Sequence, residues 1–228
     1  LDSVTKLRDD VLTHSNMIAC ELIDANSFRM VTGKNVLGVM LLIQWANVEG
    51  GKFDDFLDQL FSVKYPQLIQ NAELSTSVSH ENKLWQIRHE ISDSNRNWAK
   101  ANNLSYVGYD IGIPKNSLAA ILKKLNSFIE NKGGTVFNFG HSMQSETHDT
   151  IHFNFAHPNT VKASELRLFM TKELKEFDIK LATEHGGWGH KAINDTKALA
   201  NKKALEKVQI QKKALDPHNI FRADIMLN

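Results

Sequence analysis

Apolar side chains recur along this chain with the spacings of alternating helices and strands. Between residues 53 and 61, five Phe and Leu side chains stand at i, i+3, i+4, i+7 and i+8, which predicts a helix with one buried face. The same criterion predicts helices over residues 3–14, 80–91, 115–131 and 161–177. An Ala/Lys-rich stretch over residues 194–216 predicts a last helix near the end of the chain.

Runs rich in β-branched and aromatic residues stand between these helices. We predict strands at SYVGYDIGIP, TVFNFG and TIHFNFAH, a buried strand over Val39–Trp45, and a strand within ACELIDANSFRMVTG that passes into a helix. AELSTSV is a further candidate strand. The two runs between residues 134 and 157 have the length of a hairpin with a long connection.

This alternation favours an α+β fold in which an antiparallel sheet carries helices on one face. The strands are too few and their connections too mixed for a doubly wound parallel sheet, so we predict a ferredoxin-like domain followed by a C-terminal helical segment. The division that we predict is one domain over residues 1–180 and a C-terminal segment over residues 181–228.

The composition is that of a folded globular protein. Hydrophobic residues make up 42% and charged residues 23% of the 228 positions, with 12 Gly and 4 Pro, which argues against disorder and a collagen-like repeat. The 27 basic residues nearly balance the 26 acidic ones. A net charge of +1 gives no long-range field that would attract nucleic acid or an anionic membrane.

The single cysteine indicates a reducing compartment. Cys20 cannot form an intrachain disulfide, and we expect a cytoplasmic protein. The apolar run Val36–Ile43 is far shorter than the roughly 20 residues that span a bilayer, so we expect no transmembrane segment. Because the sequence opens with Leu1, we expect it to be part of a longer or processed protein.

Histidines provide the first candidate chemistry. Six of the ten lie between residues 141 and 190, and a hairpin over residues 134–157 would bring His141 and His152 to the same end. Glu184 or His185 could add a third ligand, and two imidazoles with a carboxylate are a set typical of catalytic zinc. Half-buried, hydrogen-bonded histidines are the structural alternative.

Arg88 is the second candidate. It stands beside His89 on the predicted helix that carries Trp85, where its guanidinium could fork onto the carboxylate of a substrate. A surface arginine paired with an acidic residue of the protein explains the sequence equally well.

Several separated segments together resemble one family. They are LIDANSF, LLIQW, LWQIRHEIS, GYDIGIPKNSL, FGH followed by IHFNF, ATEHG, Lys191 and ALDPHNI. In this order they resemble the C-terminal half of FAD-linked oxidases of the D-lactate dehydrogenase, glycolate oxidase and D-2-hydroxyglutarate dehydrogenase type. The resemblance extends over most of the chain, and it implies that residues 1–180 form the cap domain that covers the substrate.

The resemblance implies specific roles for six positions. His141, His152 and Glu184 would hold a divalent metal such as zinc, and His148 could take the place of His152. His185 would lie beside the substrate as the catalytic base, and Arg88 would bind the substrate carboxylate.

The resemblance also implies partners for the chain. FAD would be held by an N-terminal domain that these residues do not include, so the chain alone should purify colourless. The partners would be that domain of the same protein and a small 2-hydroxy acid such as D-lactate or glycolate.

The sequence departs from the family pattern at two motifs, and this opens a second hypothesis. HSMQSETHDTIH lacks Gly-Asp-Gly-Asn and carries four extra residues between His141 and His152, and the flavin-side Asn-Pro-Gly-Lys near the end is replaced. A non-catalytic binding or assembly module, with the cap fold kept and the chemistry lost, is therefore the alternative to an oxidoreductase.

Overall fold

The computed structural model describes residues 2–46, 52–75, 77–158, 165, 168–169, 172, 175–181, 202–218 and 220. The strands are β1 (Met17–Asp24), β2 (Val39–Trp45), β3 (Ser105–Pro114), β4 (Thr135–His141), β5 (His148–His157) and β6 (Lys180–Leu181). The α-helices are α1 (Asp2–Val11), α2 (Ala25–Thr32), α3 (Lys52–Asp58), α4 (Pro66–Ile69), α5 (Val78–Ala101), α6 (Leu118–Glu130) and α7 (Lys202–Leu215). A π-helical segment at Gln59–Lys64 follows α3, and a 3₁₀ turn at Lys115–Ser117 precedes α6.

The strands form one sheet in the order β2-β1-β4-β5-β3-β6, and every neighbouring pair is antiparallel. β4 and β5 are the predicted hairpin, with residues 142–147 as its connection. The α+β class and the antiparallel sheet predicted from the sequence are confirmed.

One face of the sheet packs against α6. Leu118, Ile121, Leu122, Leu125 and Ile129 are buried at helical spacing, and they form the main core with apolar side chains of alternate strand positions, among them Leu22, Ile111 and Ile151. α1 covers the β2 side of the same face through Leu7 and Val11.

The structure adds helices on the opposite face. Ile23 and Phe139 project from this opposite face because they alternate along their strands with the residues that face α6. They pack with Phe28 of α2 and Ile91 of α5. Further along α5, Ala99 packs with Phe137 and Ala156. α5 therefore crosses the sheet face that carries the predicted histidines.

Local sequence signals explain where α2 begins and ends. The Asp24 side chain accepts a hydrogen bond from the Ser27 backbone N–H, which caps the start of the helix. Gly33 has φ of 71° and donates its N–H to the Arg29 carbonyl, an end in the left-handed region that favours glycine. Ser77 caps α5 in the same way as Asp24 caps α2.

One predicted segment differs from the structure, and a second cannot be compared with it over most of its length. Residues 72–75 of AELSTSV are not in a strand, and Val78 begins α5. Leu74 and Val78 are 63% and 72% exposed, so this segment buries no apolar face. The helix predicted over residues 161–177 falls largely outside the described residues.

Among the described residues, the structure contains no helix with the length and apolar character of a membrane span.

Candidate functional site

A line of ionisable side chains crosses the sheet face that α5 covers. Residues directly opposite each other on neighbouring strands project from the same face. Glu21 of β1 is opposite His141 of β4, and His152 of β5 is opposite both Phe139 of β4 and Asp110 of β3. We call Glu21, His141, His152, Asp110 and the α5 residue Arg88 the polar row.

Asp110 holds the ring of His152. Its Oδ1 lies 2.7 Å from Nδ1 of His152, and the two side chains are 13% and 7% exposed. A carboxylate at this position accepts a hydrogen bond from Nδ1–H, and this fixes the tautomer and orientation of the imidazole. His152 is therefore a positioned imidazole.

His141 is the neighbour of His152 across the hairpin. The ring centroids are 5.8 Å apart at an interplanar angle of 63°. The Phe139 ring also packs against His152, with ring centroids 4.8 Å apart. The hairpin thus brings together the two histidines that the sequence placed at one end.

Arg88 reaches the polar row from α5. It shares the helix face of Ile91 and Asn95, which are buried, so its side chain points to the sheet. Nε donates to Oε2 of Glu21, and Cζ lies 4.6 Å above the Phe139 ring. The pairing with an acidic residue, proposed above as the alternative role for Arg88, is present.

Glu21 engages only one edge of the Arg88 guanidinium. Within the described part of the chain, Nη1 and Nη2 donate no hydrogen bond. The side chains of Arg88 and Glu21 are 18% and 11% exposed. An arginine held by Nε and stacked on an aromatic ring presents its two remaining nitrogens in a geometry that matches a carboxylate.

His148 has different neighbours. Its Nε2 lies 3.0 Å from the Asp178 carbonyl oxygen, and its Nδ1 lies 2.8 Å from Oγ1 of Thr147. Lys180 Nζ is 3.4 Å from the same Nδ1. Of the two histidines considered as partners of His141, His152 is the one whose ring packs against it.

Glu184 and His185 lie outside the described residues, and so does Lys191. Among the residues that the structure describes, no group of three or more His, Cys, Asp and Glu side chains has metal-binding geometry. His141 and His152 can supply two nitrogen ligands, and a third ligand would have to come from outside the described ranges. The fit to a metal is therefore partial.

Sequence analysis missed Glu21 and Asp110 as site residues. Each is an acidic residue whose two chain neighbours have buried side chains, in the segments MIACELID and SYVGYDIGIP. Buried acidic side chains are rare unless they are paired. This signal could have identified both, but their partners depend on the strand register.

The chain belongs to a family described as FAD linked oxidases, C-terminal domain, whose model matches residues 2–224. Its fold is similar to that of a solved 4-ethylphenol oxidase from Gulosibacter chungangensis in complex with isoeugenol, with a TM-score of 0.59 and 11% sequence identity. The match covers 96% of this chain and 49% of the oxidase chain. An alkyldihydroxyacetonephosphate synthase structure matches with a TM-score of 0.49 and 14% identity over 95% of this chain and 40% of that one. No curated protein sequence matches the chain.

The chain spans about half the length, or less, of these solved proteins. Membership of this family implies FAD as the cofactor. The polar row contains one arginine, two imidazoles and the two carboxylates of Glu21 and Asp110. This set does not match the needs of a pyrophosphate and an isoalloxazine ring, so the polar row does not form a flavin cradle.

Proposed function

We propose that this chain is the substrate-side part of an FAD-linked oxidoreductase that acts on a small 2-hydroxy acid such as D-lactate or glycolate. The observation that carries the proposal is Arg88, whose Nη1 and Nη2 donate no hydrogen bond within the described part of the chain. It lies on Phe139, which also contacts His152. Family membership supports the flavin chemistry.

In this proposal Arg88 binds the substrate carboxylate through its Nη1–Nη2 edge. A charge-assisted fork of this kind fixes both the position and the plane of the carboxylate. The 2-hydroxyl group then lies toward the imidazoles of the polar row. His185 is the proposed base that accepts the hydroxyl proton.

FAD, held mainly by a separate flavin-binding domain of the same protein, supplies the acceptor for the hydride from the substrate carbon. The chain by itself is therefore expected to purify without colour. The single buried Cys20 is in keeping with a reducing compartment, and we place the protein in the cytoplasm.

A divalent metal such as zinc is part of the proposal. His141 and His152, with Glu184, are the ligands that we propose, and His148 is the substitute for His152. A metal at this position would polarise the hydroxyl oxygen of the substrate.

The test uses this chain produced together with its flavin-binding domain. Under anaerobic conditions D-lactate or glycolate should bleach the oxidised-flavin absorbance, and the corresponding 2-oxo acid should appear in equal amount. A flavin that stays oxidised with every 2-hydroxy acid tried would contradict the proposed substrate class. It would also favour the alternative of a non-catalytic module.

A further inference from the structure

Glu21 is the acidic residue that bonds Arg88 within the described part of the chain, and its strand position is set by pairing with His141. An arginine side chain has several rotatable bonds, and fixing it for a ligand costs about 0.5–1.5 kcal/mol of conformational entropy. A group that fixes the side chain before the ligand arrives removes this cost from binding.

We infer that Glu21 is a positioning residue, which holds Arg88 by Nε so that the Nη1–Nη2 edge is ready to receive a carboxylate. This inference rests on the proposed function. Oε2 of Glu21 accepts a hydrogen bond from Nε of Arg88. Cζ of Arg88 lies 4.6 Å from the centroid of the Phe139 ring, which supports the guanidinium plane. One edge and one face of the guanidinium are thus fixed, while the outer edge is left for a ligand.

The charge of Glu21 acts against its positioning role. A carboxylate bound at the outer edge of Arg88 would be repelled by the Glu21 carboxylate, and this repulsion could exceed the ordering gain at the short range involved. A substitution that removes both the charge and the oxygen of Glu21 would remove the repulsion and the ordering of Arg88 at the same time. The two effects must therefore be separated by a pair of variants that both lack the charge.

Glu21→Gln and Glu21→Met form that pair. Both are uncharged and close to Glu in length, but only Gln offers an oxygen to Nε of Arg88. If Glu21 positions Arg88, Glu21→Met should bind D-lactate roughly three- to tenfold more weakly than Glu21→Gln, which corresponds to the entropy cost of ordering one long side chain. A merely structural role predicts no difference in affinity between two variants of equal stability.

The measurement is an NMR titration of the 228-residue chain with D-lactate and with glycolate, after treatment with EDTA. The Arg88 Nε–H resonance reports the order of the side chain without any ligand. It should be rigid in the wild-type chain and in Glu21→Gln, and averaged by motion in Glu21→Met. Glu81→Gln and Glu81→Met are matched controls, because Glu81 lies on α5 with Arg88 but bonds Gln44 of β2 instead of Arg88.

Each outcome decides the inference. A rigid Arg88 with weaker D-lactate binding in Glu21→Met than in Glu21→Gln supports it. Equal affinities in the two variants overturn it while the proposed function stands. An Arg88 Nε–H as mobile in the wild-type chain as that of the exposed Arg96 overturns it even if no variant folds. Absence of any lactate or glycolate effect in the wild-type chain and in Arg88→Lys overturns both the inference and the proposed role of Arg88.

Discussion

Asp110 on β3 and His152 on β5 are directly opposite in the antiparallel register, with Oδ1 of Asp110 2.7 Å from Nδ1 of His152. This contact joins two positions 42 residues apart in the sequence. It orients one imidazole of the polar row, and it connects the central strand β5 to β3, which lies next to the edge strand β6.

Asp110→Ala should release the ring of His152. We expect ¹⁵N NMR to detect the Nδ1-protonated tautomer of His152 in the wild-type chain and a mixture of tautomers in the variant. Zinc affinity should fall roughly 10- to 100-fold, as for loss of other outer carboxylate partners. Asp93→Ala, which removes an exposed carboxylate of α5, is the control. Unchanged zinc binding in Asp110→Ala would contradict the prediction.

Arg88→Lys should weaken substrate binding in the flavin-containing protein. Lysine keeps the positive charge but lacks the planar fork. Loss of one charge-assisted contact should raise KM for D-lactate or glycolate roughly tenfold to a hundredfold. Arg96→Lys is the matched control on the same helix, since Arg96 is exposed and pairs with Asp93. Equal KM values for the two variants would argue against Arg88 as the carboxylate-binding residue.

Arg8→Met should destabilise the fold through Asp149. Both side chains are fully buried and paired, and Asp149 also accepts a hydrogen bond from Oγ of Ser142 at 2.5 Å. Removing one member of such a pair costs about 3–5 kcal/mol, measured at neutral pH by urea unfolding. Arg96→Met removes an exposed pair and should change the free energy of unfolding by well under about 1 kcal/mol.

The loss in Arg8→Met should depend on pH. Burial raises the pKa of Asp149, while Arg8 and Ser142 act to lower it. Without Arg8 the pKa should rise further, so the folded chain would bind this proton more tightly than the unfolded chain. Stability is then retained at low pH and lost as the pH rises through the folded pKa. A larger loss at acidic than at neutral pH would contradict this.

Asp24 should make the chain less stable as the pH rises toward neutrality. Burial raises its pKa from 3.8 to about 6, although hydrogen bonds from the Ser27 and Asn138 N–H groups act to lower it. Its contribution to stability is full below about pH 4 and is lost as the pH rises through about 6. Asp24→Asn should flatten this part of the profile of urea midpoint against pH, while Asp54→Asn, at an exposed position of α3, should leave the profile unchanged.

Gly140→Ala should disrupt the β4–β5 hairpin. A Cβ at this position would lie 2.1 Å from the Thr150 carbonyl oxygen and 2.8 Å from Cα of Ile151, and the backbone of a central strand cannot move away cheaply. We expect a loss of several kcal/mol, of order 3, in thermal or urea unfolding. Gly112→Ala is the control, because its Cβ would meet Lys180 Cβ at 3.3 Å. Equal losses would contradict the clash.

The sequence by itself predicted the elements whose periodicity is strong. Residues 115–131 contain α6 with its preceding 3₁₀ turn, and the apolar stripe predicted there is the buried one. The strands around residues 134–157 are a hairpin, as predicted. These features depend on side chains a few positions apart, where the spacing of apolar residues is enough to decide helix or strand.

α5 illustrates where local patterns fail. It was predicted over residues 80–91, but it extends from Val78 to Ala101. Its second half places Ala99 and Trp98 against Phe137 of β4 and Asn95 beside Ser27 of α2. Such contacts stabilise a helix beyond the part whose own sequence has a clear amphipathic pattern.

The sequence by itself identified Arg88, His141 and His152 as candidate site residues and predicted the hairpin that joins the two histidines. Only the tertiary structure decided that Glu21 holds Arg88 and that Asp110 holds His152. The physical reason is register: a shift of one residue in a strand turns each of its side chains to the opposite face. Register is fixed by burial across the whole sheet, so the partners of a buried charge depend on contacts between strands that are distant in the sequence.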